Sequence, residues 1–156
     1  MLEKLASEGA SLTSLKRIVS GGSAVPSWVI RDFKEKHGVD VLQVWGMTEI
    51  SPLGTTNSPL AKHADYGPEE AFSRMESAGR LNWAVEIRIV DDDGNELPRD
   101  GSEGRIQVRG PTVIQRYMFH DSDAVDESGW FETGDLGVID SDLSLIHISE
   151  PTRLSV

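Results

Sequence analysis

The first half of the chain shows strand, helix and strand patterns in succession. Residues 16–20 and 39–44 are short runs rich in β-branched residues, which favour strands. Between them, Pro26 suits the first position of a helix and Gly38 suits its end. Three apolar residues share one face of that helix: Val29, Ile30 and Phe33. This order within about 30 residues predicts parallel strands joined by a right-handed crossover.

The second half shows a different periodicity. Residues 85–89 and 105–109 alternate between apolar and polar side chains, as half-buried strands do. A turn rich in Asp, Gly and Asn lies at residues 91–95. Residues 51–78 are polar and irregular, with a weakly signalled helix near residues 69–76. The predicted fold class is therefore α/β, a parallel βαβ unit followed by a small antiparallel β-sheet or barrel.

These patterns divide the chain into three parts. Residues 1–78 form a partial α/β subdomain that begins with a short helix over residues 2–8, and residues 79–143 form a β-rich subdomain of the same large domain. Residues 144–156, S-L-I-H-I-S-E-P-T-R-L-S-V, continue no earlier pattern. We interpret them as a non-native tail, such as a cloning or sequencing scar, to be left out of fold reasoning. The alternative is a genuine C-terminal strand and tail.

Composition narrows the possible partners. The chain carries 26 acidic and 15 basic side chains, a net charge of −11, which argues against nucleic acid as partner. A nucleotide remains compatible, since backbone N–H groups and a metal ion can hold its phosphates. The absence of cysteine excludes disulfides, a cysteine nucleophile and a zinc-thiolate site. No apolar run is long enough for a membrane span, and the first residues lack a signal-peptide pattern, so we expect a cytoplasmic protein.

Two loops follow the two predicted parallel strands and should emerge at the same sheet edge, where ligands bind in such sheets. Residues 20–26, S-G-G-S-A-V-P, contain glycines that allow close backbone approach to a ligand. After the next strand, Trp45 offers an aromatic face for a purine, Thr48 a hydroxyl for a phosphate oxygen and Glu49 a hard ligand for Mg²⁺. The alternatives are a structural loop, a core aromatic residue and a capping or surface acid.

A third motif lies near the end of the chain. Residues 133–135, T-G-D, form a short turn that can present the carboxylate of Asp135 rigidly. One aspartate can accept hydrogen bonds from both hydroxyls of a ribose. The alternative is a turn in which the aspartate bonds only to nearby backbone groups.

Taken together, four ordered motifs resemble the adenylate-forming superfamily, which contains acyl-CoA synthetases, luciferases and the adenylation domains of peptide synthetases. The motifs are S-G-G-S-A-V-P (20–26), Q-V-W-G-M-T-E-I-S-P (43–52), G-R-I-Q-V-R-G-P-T-V-I-Q-R-Y (104–117) and G-W-F-E-T-G-D-L (129–136). The second is most similar to medium- and long-chain fatty acyl-CoA ligases. The resemblance covers residues 1 to about 143.

The resemblance implies roles for individual residues. Those implied to lie around the adenosine are Gly22, Ser23, Ala24, Trp45, Gly46, Met47 and Asp135, with Asp135 on the ribose hydroxyls. Two are implied to be catalytic: Thr48 would contact the α-phosphate, and Glu49 would bind Mg²⁺. Residues 105–117 match a mainly structural motif, to which we assign no catalytic role.

The implied reaction has two steps. A carboxylate, expected to be a fatty acid, attacks the α-phosphorus of ATP to give an acyl-adenylate and pyrophosphate, and coenzyme A then displaces AMP. The family's phosphate-binding loop would lie upstream of this chain, and its hinge and lysine-bearing C-terminal domain downstream. The chain by itself is therefore expected to be inactive. Two alternatives stay open: a non-catalytic nucleotide-binding or interaction module, and part of an aryl-CoA ligase or of a peptide-synthetase adenylation domain. The oligomeric state is not predicted.

Overall fold

A computed structural model describes residues 2–9 and 12–149 of the chain. The helices are α1 (Leu2–Glu8), α2 (Ser27–His37) and α3 (Pro68–Met75), with short 3-10 helices at Thr48–Ile50 and Ala61–Asp65. The strands are β1 (Arg17–Ser20), β2 (Asp40–Gly46), β3 (Leu53–Thr56), β4 (Gly79–Leu81), β5 (Glu86–Val90), β6 (Glu103–Arg109), β7 (Phe131–Ile139) and β8 (Ser144–Ser149). Within these ranges, no helix is long and apolar enough to cross a membrane.

The described strands form one eight-stranded sheet in the order β1-β2-β3-β4-β8-β7-β6-β5. β1 and β2 are parallel, with Ile18 opposite Val41, and the other pairs are antiparallel. The mixed α/β prediction is therefore confirmed. The barrel alternative is wrong, because β1 and β5 remain the two edges of an open sheet in the described part of the chain.

The βαβ unit forms as its periodicity predicts. α2 ends at Gly38, whose φ of 65° is left-handed and suits glycine. The inner face of α2 places Ile30 and Phe33, 0% and 5% exposed, against Val39 and Val41. Each such buried side chain contributes roughly 1.5–3 kcal/mol. This packing fixes the loop after β1 beside the end of β2.

The predicted irregular region at residues 51–78 contains more structure than its sequence indicates. The helix expected near residues 69–76 is present as α3, but β3 was not predicted. β3 has only four residues, and its pairing with β2 and β4 determines it rather than its own pattern. Thr55, fully buried in this strand, donates its hydroxyl to the carbonyl of Ala78 at 2.8 Å.

β8 lies within the stretch that we left out of fold reasoning, and for residues 144–149 that omission is wrong. β8 pairs with both β4 and β7, and Leu145, 1% exposed, packs in the larger hydrophobic core. The preceding turn is anchored because Asp142 accepts a hydrogen bond from Lys62 at 2.5 Å, which lowers the pKa of the Asp142 carboxyl. Residues 150–156 lie outside the described residues. A foreign origin of the tail stays a prediction, as does the subdomain boundary at residue 78.

Candidate active site

An open cleft of about 1020 Å³ lies where the loops after β1 and β2 meet β7. All nine residues that the sequence put forward for a site line this cleft: Gly22, Ser23, Ala24, Trp45, Gly46, Met47, Thr48, Glu49 and Asp135. Sequence reasoning missed the other lining residues: Gln43, Val44, Glu76, Ala78, Thr133, Gly134 and Ile146. Three segments far apart in the chain therefore converge on one concave surface, as ligand sites commonly require.

The glycine loop is held tightly against β2. A Cβ atom on Gly21 would lie 2.5 Å from Cγ2 of Val44, so only glycine allows this approach. Gly22 has a φ of +89°, a left-handed conformation, and no atom stands within 4 Å of where its Cβ would be. Gly22 lines the cleft and has no side chain, so its backbone atoms form part of the cleft wall.

Gln43 connects this loop to the C-terminal end of α3. Its side chain is 6% exposed; Oε1 accepts the N–H of Val25 at 2.9 Å, and Nε2 donates to the carbonyls of Met75 and Glu76 at 3.2 and 2.7 Å. The buried positions of β2 alternate, so Gln43 occupies a position where an apolar residue is expected. A polar residue at such a position was the available sequence signal for its role.

We expect Gln43→Leu to lower the free energy of unfolding by about 2–3 kcal/mol, because it leaves buried backbone donors and acceptors unpaired. Urea denaturation followed by tryptophan fluorescence measures this. The matched control is Gln115→Leu, since Gln115 is exposed and makes only a marginal 3.5 Å side-chain bond. Equal losses in the two variants would contradict a bridging role for Gln43.

Trp45 is more deeply buried than expected for a residue whose only role is to stack against a ligand. Its ring is 6% exposed and belongs to the larger hydrophobic core, with Gly54 behind it, where a Cβ would lie 2.5 Å from Cζ3 of the ring. The indole Nε1 donates to Oδ2 of Asp135 at 2.8 Å, across 90 residues of sequence. Trp45 therefore fits the core alternative while also lining the cleft and orienting Asp135.

The T-G-D motif is a bulge inside β7 rather than the turn that we predicted. Three residues of β7 stand between its paired positions Glu132 and Leu136, whereas β6 has one residue at that point, Ile106. The hydroxyl of Thr133 donates to the carbonyl of Ile106 at 2.8 Å and accepts the N–H of Asp135 at 3.1 Å. A φ of +79° at Gly134 completes the bulge. Such irregularities redirect a side chain, and here Asp135 turns toward the cleft.

Thr48 and Glu49 lie in the 3-10 helix that follows β2. Thr48 is exposed and Glu49 is half-buried, while Ile50, 1% exposed, anchors the short helix in the core. The carbonyl of Glu49 accepts the N–H of Ile114 at 2.9 Å, and its carboxylate accepts the hydroxyl of Tyr117 at 2.9 Å. Both catalytic candidates thus stand on a short element that is fixed at its base.

The charged side chains that line the cleft are of one sign. Among the described residues, the charged side chains that line it are three carboxylates, those of Glu49, Glu76 and Asp135, with no lysine or arginine. Across residues 2–9 and 12–149, no group of three or more His, Cys, Asp or Glu side chains is placed to hold a metal ion. Mg²⁺ bound with a nucleotide needs only one or two carboxylates, because phosphates and water supply the other ligands. Glu49 beside Thr48 therefore fits a Mg²⁺ site in which the nucleotide supplies some of the ligands. The cleft does not fit a site in which protein side chains alone surround the cation.

Comparison with known proteins assigns the chain to a family. The family model described as AMP-binding enzyme matches residues 1–118. The chain is 47% identical over 143 residues to a medium-chain-fatty-acid–CoA ligase of Ectopseudomonas oleovorans, and 46% identical over 143 residues to a 3-methylmercaptopropionyl-CoA ligase of Ruegeria lacuscaerulensis. Each alignment covers 91% of this chain and 26% of the relative, so the chain spans about a quarter of their length.

A solved structure agrees with these sequence matches. O-succinylbenzoate coenzyme A synthetase from Bacillus subtilis, in complex with ATP and magnesium ion, superimposes with a TM-score of 0.75 at 29% identity. The superposition covers 99% of this chain and 31% of that structure. The family-model match over residues 1–118 includes the glycine loop and the segment from Gln43 to Glu49. The chain therefore belongs to the family of AMP-binding enzymes, among relatives that are adenylate-forming CoA ligases.

Proposed function

We propose that the cleft binds the adenylate part of ATP and of an acyl-adenylate, as a segment of an ATP-dependent acyl-CoA ligase. The observation that carries the proposal is the convergence of three separate segments on one cleft, with Asp135 held by Trp45 at 2.8 Å. Carboxylate oxygens accept up to about four hydrogen bonds between them, so the bond to Trp45 is compatible with bonds from ribose hydroxyls. The glycine loop would then lie against the adenine.

The proposed chemistry is that of an ATP-dependent acyl-CoA ligase, and its support is the similarity to such ligases. An oxygen of the substrate carboxylate attacks the α-phosphorus of ATP, the bond to the bridging oxygen breaks, and pyrophosphate leaves with that electron pair. The thiol of coenzyme A then attacks the acyl carbonyl, loses its proton, and AMP leaves. Thr48 would donate its hydroxyl to an α-phosphate oxygen, and Glu49 would hold Mg²⁺. In a cleft lined by three carboxylates, the cation would supply the positive charge that offsets the phosphates.

For the carboxylic acid we propose a fatty acid. The support is the 47% identity to a medium-chain-fatty-acid–CoA ligase. The 46% identity to a 3-methylmercaptopropionyl-CoA ligase favours a short thioether acid almost equally. Discrimination between them requires a ligand series that varies only in the acyl group.

Calorimetric titration of the 156-residue chain tests both proposals. We expect AMP to bind weakly, with a Kd on the order of 0.1–1 mM, and a stable acyl-adenylate analogue to bind more tightly. An octanoyl analogue should bind better than 3-methylthiopropionyl and benzoyl analogues. If another analogue bound more tightly than the octanoyl analogue, the proposal of a fatty acid would be wrong and the acid of that analogue would take its place. If neither AMP nor any acyl-adenylate analogue bound, the proposed nucleotide-binding role would be wrong.

We also propose that the 156-residue chain does not turn over substrate by itself, because it spans only about a quarter of its relatives. ATP–pyrophosphate exchange and thioester formation should both stay at the background rate in the presence of Mg²⁺. Exchange above background with the wild-type chain, lost in Glu49→Ala, would contradict this.

A further inference from the structure

The segment after β6, residues 110–117, contacts Glu49 at two points. The N–H of Ile114 donates to the carbonyl of Glu49 at 2.9 Å, and the hydroxyl of Tyr117 donates to its carboxylate Oε1 at 2.9 Å. Glu49 and Tyr117 are 68 residues apart in sequence. The sequence motif that contains Tyr117 predicts only a structural role for this segment.

The two contacts restrict different parts of Glu49. The backbone bond fixes the 3-10 helix, while the tyrosine bond restricts the side-chain torsions. A long, flexible glutamate side chain loses rotamer entropy when it is immobilised. If this ordering is complete before a ligand arrives, binding through the same carboxylate does not bear that cost. The hydroxyl of Tyr117 donates to Oε1 of Glu49, and a carboxylate that accepts one hydrogen bond retains further lone pairs with which it can bind a cation.

We propose that Tyr117 is a positioning residue for Glu49, holding its carboxylate in the orientation that binds Mg²⁺ together with the phosphates of ATP. This inference rests on the proposed function for the role of Glu49. Tyr117 does not line the cleft, so it acts through Glu49 rather than on the nucleotide. Outer partners of metal ligands commonly change metal affinity by about 10–100-fold.

The test compares Tyr117→Phe with Tyr66→Phe. Tyr66 is the other of the two tyrosines; its ring lies against His63 at a centroid distance of 5.0 Å, outside the cleft. ATP affinity is measured by calorimetry across a Mg²⁺ titration, and AMP affinity is measured without metal. In Tyr117→Phe we expect the Mg²⁺ concentration for half-maximal ATP affinity to rise about tenfold, with AMP affinity unchanged within about twofold. Tyr66→Phe should match the wild type in both.

An unchanged Mg²⁺ requirement in Tyr117→Phe would overturn the inference, and so would an equal loss of AMP affinity, which would indicate a general structural role. A double-mutant cycle of Tyr117→Phe and Glu49→Ala, followed by urea unfolding without nucleotide, provides a second readout. We expect the change in the unfolding equilibrium caused by Tyr117→Phe to be about fivefold smaller in the Glu49→Ala background. If the effects of the two substitutions on stability were additive, the inference would be wrong, whatever the result of nucleotide binding. If the wild type bound neither AMP nor ATP, the proposed function itself would be wrong.

Discussion

Asp135→Ala is expected to weaken binding of a stable acyl-adenylate analogue by at least about 100-fold. In the proposed binding mode Asp135 accepts two charge-assisted hydrogen bonds from the ribose, which the substitution would remove. Each would contribute roughly 1.5–3 kcal/mol, and every 1.4 kcal/mol is a factor of ten in affinity. The substitution also leaves the indole N–H of Trp45 without its acceptor, since that bond of 2.8 Å ends on the lost carboxylate. Calorimetry with the analogue measures the loss.

The control for this prediction is Asp92→Ala, which removes an exposed carboxylate in the turn between β5 and β6. The Asp92→Ala variant should bind the acyl-adenylate analogue with the affinity of the wild type, because the long-range effect of a surface charge is screened by salt. Trp45→Phe keeps an aromatic ring but removes the donor to Asp135, and should lie between the two. Equal affinities for Asp135→Ala and Asp92→Ala would show that the ribose does not bind at the T-G-D bulge.

Gly46→Ala is expected to destabilise the chain by about 3 kcal/mol or more and to abolish adenylate binding with it. A Cβ on Gly46 would lie 2.0 Å from the carbonyl oxygen of Pro52 and 2.8 Å from the Cα of Leu53. Both obstacles are backbone atoms, so no side-chain rotation relieves the contact and the β2–β3 connection must move. That connection carries Thr48 and Glu49. Urea denaturation measures the stability, and analogue titration measures the site.

Gly67→Ala is the matched control for this substitution. Gly67 has an ordinary φ of −63° and no atom within 4 Å of its virtual Cβ. The added methyl group reduces the freedom of the unfolded chain, which offsets a weaker helix cap, so the change should stay within about 1 kcal/mol. If Gly46→Ala behaved like Gly67→Ala, the tight crossing at the end of β2 would not hold in solution.

Local periodicity was sufficient for the elements that bury one face over several residues. α2 shows this, because Ile30 and Phe33 recur at helical spacing and Gly38 marks its end. The alternation at residues 85–89 and 105–109 likewise predicted β5 and β6, which pair with Ile87 opposite Val108. In each case the pattern of hydrophobic positions carries the information, since the same face must reach the core in any packing.

Local patterns failed where partners distant in sequence decide the structure. β3 is too short to show a period, and β8 continues no earlier pattern. Both are strands because each pairs with a neighbour on either side, β3 with β2 and β4, and β8 with β4 and β7. The T-G-D motif has the composition of a turn. It is a bulge because the residues before and after it, Glu132 and Leu136, both pair with β6. Backbone hydrogen bonds to neighbouring strands outweigh the weak local preference of a few residues.

The sequence by itself determined the family, the parallel βαβ unit and the identity of nine residues that line one cleft, because ordered motifs and hydrophobic periods are local properties of the chain. Only the tertiary structure decided how those residues are held. Gln43 bridges the glycine loop to α3, Trp45 donates to Asp135, and Tyr117 donates to Glu49. Such bonds join residues far apart in sequence, and their geometry exists only after the sheet has brought its strands together.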